Sequence, residues 1–135
     1  SRGLGDVYKR QGLSDQIEFV GDVANISSEY QNADIFVLPS KFEGYGMVLT
    51  EAIAHGLPIV STRAGAIPEV VPESAGILVN TEDHSALAEA LQKLILDSDL
   101  RNKMQLSAQK AALTLPSWGI CAELIARGME TIPRK

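Results

Sequence analysis

One stretch of this chain, residues 34–60, limits the fold more than any other. Asp34-Ile35-Phe36-Val37-Leu38-Pro39 contains an unbroken apolar run over residues 35–38, the pattern of a parallel strand covered on both faces. Ser40-Lys41-Phe42-Glu43-Gly44-Tyr45-Gly46 follows as a loop. Its two glycines let the backbone approach another group closely. Helix-forming residues fill positions 47–54, Gly56 sits where that helix ends, and Pro58 keeps it from resuming. Ile59 and Val60 open a second buried strand. Strand, loop, helix and strand in this order call for parallel pairing through a right-handed crossover.

A loop between the carboxyl end of a parallel strand and the amino end of a helix is where α/β sheets take ligands. The amides of Gly46, Met47 and Val48 are expected to be free there. With the helix dipole they form a site for an anion, most often a phosphate. Glu43 lies before the helix and Glu51 about one turn into it. Carboxylates beside a phosphate site do not bind the phosphate; they accept hydrogen bonds from hydroxyls, such as those of a ribose or a hexose. The constellation suggests a sugar nucleotide. Against this stand plainer roles: Glu43 as a loop carboxylate capping the next helix, and Glu51 as a solvated helix residue.

Glu43, seven intervening residues and then Glu51, with Gly44-Tyr45-Gly46 after the first and Ala52 through Gly56-Leu57-Pro58 after the second, resembles the E-x7-E signature of retaining GT-B glycosyltransferases, in particular the glycosyltransferase family 4 type. Val60-Ser61-Thr62-Arg63-Ala64-Gly65-Ala66-Ile67-Pro68-Glu69-Val70-Val71 and Gly76-Ile77-Leu78-Val79 are similar to the same family. The likeness is strong over residues 12–79 and weak beyond. It implies an α/β, Rossmann-like parallel sheet with flanking helices, part of the carboxyl-terminal half of a GT-B fold. It also implies a Glu43 near the donor hexose, with a catalytic role, and a Glu51 on the ribose hydroxyls. Gly44, Tyr45, Gly46, Met47 and Val48 would hold the diphosphate or hexose, and Val23 would lie near the nucleotide base. The resemblance implies no metal cofactor. The family often has Gly-Gly where this chain has Gly65-Ala66, which puts a donor contact at Ala66 in doubt.

The rest of the chain fits one domain. Its 135 residues suffice for a core, and 45% hydrophobic with 21% charged residues is the balance of a globular protein. The net charge of −5 and the lack of a basic stripe argue against nucleic acid as a partner. The single cysteine, Cys121, excludes an internal disulfide and reads as an apolar filler in the last helix. Residues 1–11 read as a non-native or disordered leader, or else as a short helix or loop leading into the domain, and residues 12–135 as the truncated donor-binding domain.

In chain order, residues 17–20 read as a short strand meeting Gly21. Asn25 caps a helix through residue 32 with Tyr30 and Ala33 toward the core. Pro68 and Glu69 suit a helix start, although a sugar contact by Glu69 is the sharper alternative. Arg63 either balances diphosphate charge or is solvated. Residues 76–79 form a last strand. Asp83 caps an amphipathic helix carrying Leu87, Leu91, Leu94 and Ile95 at helical spacing. Asp97-Ser98-Asp99 breaks it before a second helix over residues 100–113, which buries Leu100, Met104, Ala108 and Ala111. Ser117 then caps a final helix over residues 118–131. His55, at the far end of its helix from the anion site, reads as structural, and His84 as surface.

The function implied is the donor-binding portion of a hexosyltransferase that moves a hexose from a nucleoside diphosphate sugar to an acceptor hydroxyl with retention. The acceptor site and a basic pair for the diphosphate would lie on an amino-terminal domain and earlier segments absent here. The chain alone is therefore expected to bind donor weakly and transfer nothing. A cytoplasmic location and peripheral membrane association of the longer enzyme accompany the resemblance. The alternatives are a non-catalytic nucleotide-binding module of Rossmann-like fold and a GT-B sugar-nucleotide epimerase.

Overall fold

The computed structural model describes residues 11–13, 15–44 and 46–115. The expected final helix with Cys121, Tyr45 and nearly all of the expected leader lie outside them. Three strands, β1 (Phe36–Leu38), β2 (Ile59–Thr62) and β3 (Gly76–Val79), pair in the order β1-β2-β3, all parallel. The register sets Val37 beside Val60 and Val60 beside Ile77. Around the sheet run α1 (Ile26–Asn32), α2 (Met47–Ala54), α3 (Ile67–Val70), α4 (His84–Leu96) and α5 (Ser98–Ala112).

The middle strand organises the core. All four residues of β2 are buried, as a strand covered on both faces requires. Adjacent residues of a strand point to opposite faces. Ile59 accordingly joins a cluster with Tyr30, Leu49, Ile53 and Ile67 from α1, α2 and α3. Val60 joins a second cluster with Ala90, Leu94 and Met104 from α4 and α5. Each large side chain so buried contributes about 1.5–3 kcal/mol.

Local chemistry sets the helix ends. Asn25 accepts from the Ser27 amide at 3.1 Å, Asp83 from Ala86 at 2.9 Å and Asp97 from Leu100 at 2.8 Å, each side chain satisfying an amide that has no partner within the helix. Asp97 serves two helices, because its own amide also closes α4 on the Lys93 carbonyl at 3.0 Å. Helix α2 ends in a Schellman motif. The Gly56 amide bonds the Ile53 carbonyl at 2.9 Å and the Leu57 amide bonds Ala52 at 3.0 Å. Gly56 has φ +74°, a conformation that glycine adopts without steric cost.

Some expectations change. Residues 17–20 form no strand, and Phe19 and Val20 are 55% and 51% exposed. Apolar alternation makes a strand only where a neighbouring strand supplies hydrogen-bond partners, and the sheet of the described residues ends at β1. Nor is β1 covered on both faces as expected: Val37 is exposed and its neighbours half-buried. Ala33 is exposed while Tyr30 is buried. Ile95 points to solvent and Leu94 carries that turn of α4 into the core. Among the described residues no helix is long and apolar enough to cross a membrane.

Candidate functional site

The end of β1 and the loop after it are tied to β2 and the loop after that strand at successive points. Ser61 Oγ donates to the Leu38 carbonyl at 2.6 Å, Thr62 Oγ1 donates to the Ser40 carbonyl, and the Ala66 amide donates to the Glu43 carbonyl at 3.2 Å. Buried hydroxyls between parallel strands thus continue the ladder beyond the sheet. Gly65 is what allows the last of these ties. It has φ +52°, and a Cβ there would stand 1.9 Å from the Glu43 carbonyl oxygen. The intimate approach between the two loops falls at Gly65 and not at Ala66.

Glu43 is half-buried at the end of this tie. Its Oε1 accepts from the Gly46 amide at 3.2 Å. The Gly46 amide, expected to be free, is therefore taken by the loop's own carboxylate, and the capping role holds for that oxygen. Gly46 adopts φ 72° at the N-cap of α2, and its carbonyl receives the amides of Leu49 and Thr50. Met47 and Val48 are left as the amides at this helix end with no bond among the described residues, and both side chains are exposed. Gly44 is exposed, and nothing stands within 4 Å of where its Cβ would be.

Glu51 is exposed on α2, yet its carboxylate is not loose. The Tyr30 hydroxyl donates to Glu51 Oε2 at 2.9 Å. The Tyr30 ring is buried, stacked on the His55 ring at 5.0 Å and tilted against Phe36 at 5.8 Å. Burial first, then the hydrogen bond to Glu51 and its charge, pushes the Tyr30 hydroxyl up to about 12. His55 in turn bonds the Glu51 carbonyl through Nδ1 at 2.8 Å and Ser27 Oγ through Nε2 at 2.6 Å. A carbonyl only accepts, so Nδ1 carries the proton, and in the neutral ring Nε2 accepts from the Ser27 hydroxyl. His55 is thus a brace between α1 and α2, at the far end of α2 from the helix start where an anion site is expected. Sequence reasoning places Tyr30 in the core but misses its bond to Glu51. The signal is there in two helical pairs: Ser27 and Tyr30 three apart on α1, and Glu51 and His55 four apart on α2.

At the carboxyl ends of the strands, Pro39, Thr62, Asn80 and His84 line a shallow hollow. The exposed Lys41–Glu82 ion pair lies on its rim. The ends of β1, β2 and β3 thus share one side of the sheet. Gly21, expected as a further strand end there, follows no strand. Arg63 is exposed, and its amide extends the ladder to the Val79 carbonyl at 2.8 Å. Glu69 lies exposed in the first turn of α3. Val23 is half-buried in the irregular segment before α1. Among the described residues no three His, Cys, Asp or Glu side chains gather as metal ligands do.

A profile of the family "Glycosyl transferases group 1" matches residues 3–97. The chain is 42% identical over 105 residues to the D-inositol 3-phosphate glycosyltransferase of Corynebacterium jeikeium, an alignment covering 77% of this chain and 25% of that protein. Among solved structures, the fold matches Anabaena HepE in complex with UDP, with a TM-score of 0.90 and 25% identity over 97% of this chain and 36% of that one. The same protein in complex with UDP-glucose gives a TM-score of 0.89. Sucrose-phosphate synthase from Thermosynechococcus elongatus matches with a TM-score of 0.86 and 27% identity over 96% of this chain and 33% of that one. The chain therefore spans between a quarter and about a third of the length of these relatives. The parallel sheet with flanking helices is that of GT-B glycosyltransferases.

Proposed function

Because the chain belongs to the glycosyl transferases group 1 family, we propose that it is the donor-binding part of a retaining transferase of the glycosyltransferase family 4 type, which moves a hexose from a nucleoside diphosphate sugar to an acceptor hydroxyl. The observation that carries this is the pair of carboxylates, Glu43 and Glu51, set on either side of the amino end of α2 where the loop after β1 leaves the parallel sheet. The UDP and UDP-glucose complexes of HepE, whose fold this chain shares, support a sugar nucleotide as the ligand.

The proposed roles follow from charge and hydrogen-bonding capacity. The Met47 and Val48 amides and the α2 dipole face the diphosphate. Glu51 accepts from the ribose hydroxyls. Glu43 serves the hexose through the oxygen that Gly46 leaves free. Gly44, Tyr45 and Gly46 line the sugar's approach, and Val23 meets the base. Catalysis is then mostly positioning and charge stabilisation as the sugar–phosphate bond breaks. In this proposal the helix end and basic side chains of a longer protein stabilise the departing diphosphate, without a resident metal. The acceptor is held by that protein's amino-terminal domain.

Titration of UDP-, GDP- and ADP-sugars against the wild type and Glu51→Ala tests the donor site. Loss of a charged hydrogen-bond acceptor weakens binding by about 10- to 100-fold. Equal binding by both proteins, or binding of none of the three donors by the wild type, removes the ribose role. For the longer protein, the anomeric configuration of its product, read by proton NMR, decides retention.

A further inference from the structure

A carboxylate on an exposed helix face samples many rotamers, and ordering such a side chain on binding costs up to about 2 kcal/mol. Glu51 escapes that freedom through a neighbour 21 residues away in sequence. The Tyr30 hydroxyl donates to Glu51 Oε2 at 2.9 Å, and Tyr30 itself cannot shift. Its ring is 7% exposed and packed between the His55 and Phe36 rings. His55 is bound at both ring nitrogens, to Ser27 of α1 and to the Glu51 carbonyl. The support is therefore double: His55 fixes the backbone turn that carries Glu51 and stacks on the tyrosine that fixes its carboxylate. Glu51 Oε1 has no partner among the described residues, and Oε2 keeps a second acceptor direction after Tyr30 has used one.

We propose that Tyr30 is a positioning residue for donor binding: its hydroxyl holds the Glu51 carboxylate in one rotamer, with acceptor capacity left for vicinal hydroxyls of a nucleotide ribose. The proposal rests on the ribose role of Glu51 put forward above. Tyr30 touches no ligand; it lowers the ordering cost that Glu51 pays on binding.

The test uses Tyr30→Phe, which keeps the ring and its stacking and removes only the hydroxyl, alongside Glu51→Ala. UDP, GDP and ADP are titrated by ligand-observed NMR, and the one that binds best is then compared with its 2′,3′-dideoxy analogue in all three proteins. The wild type should prefer the ribonucleotide. Glu51→Ala should abolish that preference. Tyr30→Phe should reduce it about 3- to 10-fold, the size of one modest hydrogen-bond loss, while leaving affinity for the dideoxy analogue unchanged. A purely structural role for Tyr30 would weaken both ligands alike, and that result overturns the proposal. If Glu51→Ala abolishes the preference but Tyr30→Phe keeps all of it, the ribose role stands and the positioning role falls. If Glu51→Ala keeps the preference, or the wild type binds none of the three nucleotides, the ribose role falls and the positioning role falls with it.

Discussion

Gly65→Ala is the substitution that most directly tests how the loop after β1 is held. A Cβ at this position would stand 1.9 Å from the Glu43 carbonyl oxygen and 2.9 Å from its carbon, so the Glu43 backbone must retreat by about 1.5 Å to reach an ordinary contact distance. Alanine at φ +52° adds about 1–2 kcal/mol of backbone strain. The retreat breaks the bond from the Ala66 amide to Glu43, worth about 0.5–1.5 kcal/mol. Against this, alanine restricts the unfolded chain by about 0.4–1 kcal/mol. The net loss is about 2 kcal/mol. With an unfolding entropy of about 2.1 cal/mol/K per residue, a chain of 135 residues should lose roughly 7 °C in Tm. Thermal unfolding followed by circular dichroism measures this, with Gly44→Ala as the matched control. Gly44 has open space around its Cβ direction and no positive φ, so its substitution should stay within about 0.5 kcal/mol of the wild type. Equal losses for the two variants, or no loss for Gly65→Ala, would refute the argument that backbone approach, and not loop composition, holds this turn.

Other expectations follow from the same geometry. The Tyr30 hydroxyl, raised to about 12 from 10.0, stays neutral in the fold where the unfolded chain ionises. Its contribution is complete below pH 10 and is lost as the pH rises through 12. Urea titrations at pH 9 and 11.5 should show a pH-dependent loss that is smaller in Tyr30→Phe by about 1–2 kcal/mol, after allowance for solvent near the hydroxyl. Asp83→Ala removes the side-chain cap on Ala86 at the start of α4 and should lower stability by about 1 kcal/mol in a denaturant titration. Leu94→Ala opens a void in the cluster between α4, α5 and β2, at a cost of about 2–5 kcal/mol, with a drop in the midpoint and no change in slope.

What was legible in the sequence is what depends on neighbours along the chain. Asn25 and Asp83 were identifiable as caps because a cap needs only its own side chain and an amide two or three residues on. Gly56 and Pro58 marked the end of α2 for the same reason. The strands over residues 36–38 and 76–79 announced themselves by apolar continuity, and Ile59 and Val60 opened the third. Residues 17–20 show the limit, since alternation describes a side-chain pattern while a strand is a pairing that the alternation does not supply. The candidate site shows it more sharply. Glu43 and Glu51 stood out by spacing, but what holds them comes from elsewhere in the chain. Tyr30 reaches Glu51 across 21 positions, and Gly65 lets its loop lie against Glu43 across 22. The bond from the Gly46 amide to Glu43, three residues apart, is of the local kind, and it is the capping role that the sequence offers as the plainer alternative for Glu43.

The three ties from Leu38, Ser40 and Glu43 to Ser61 and Thr62 of β2 and to Ala66 just beyond it have a mechanical consequence. Residues 38–43 are coupled sideways to the most deeply buried strand of the sheet as well as forward to their own helix. A displacement of this loop would therefore have to drag β2, whose four residues are packed from both faces. Its thermal motion should follow the sheet and not the solvent-facing surface around it, with slow amide exchange at Ala66 as the sign. If the hollow at the strand ends narrows around a ligand, this loop is expected to serve as its fixed side.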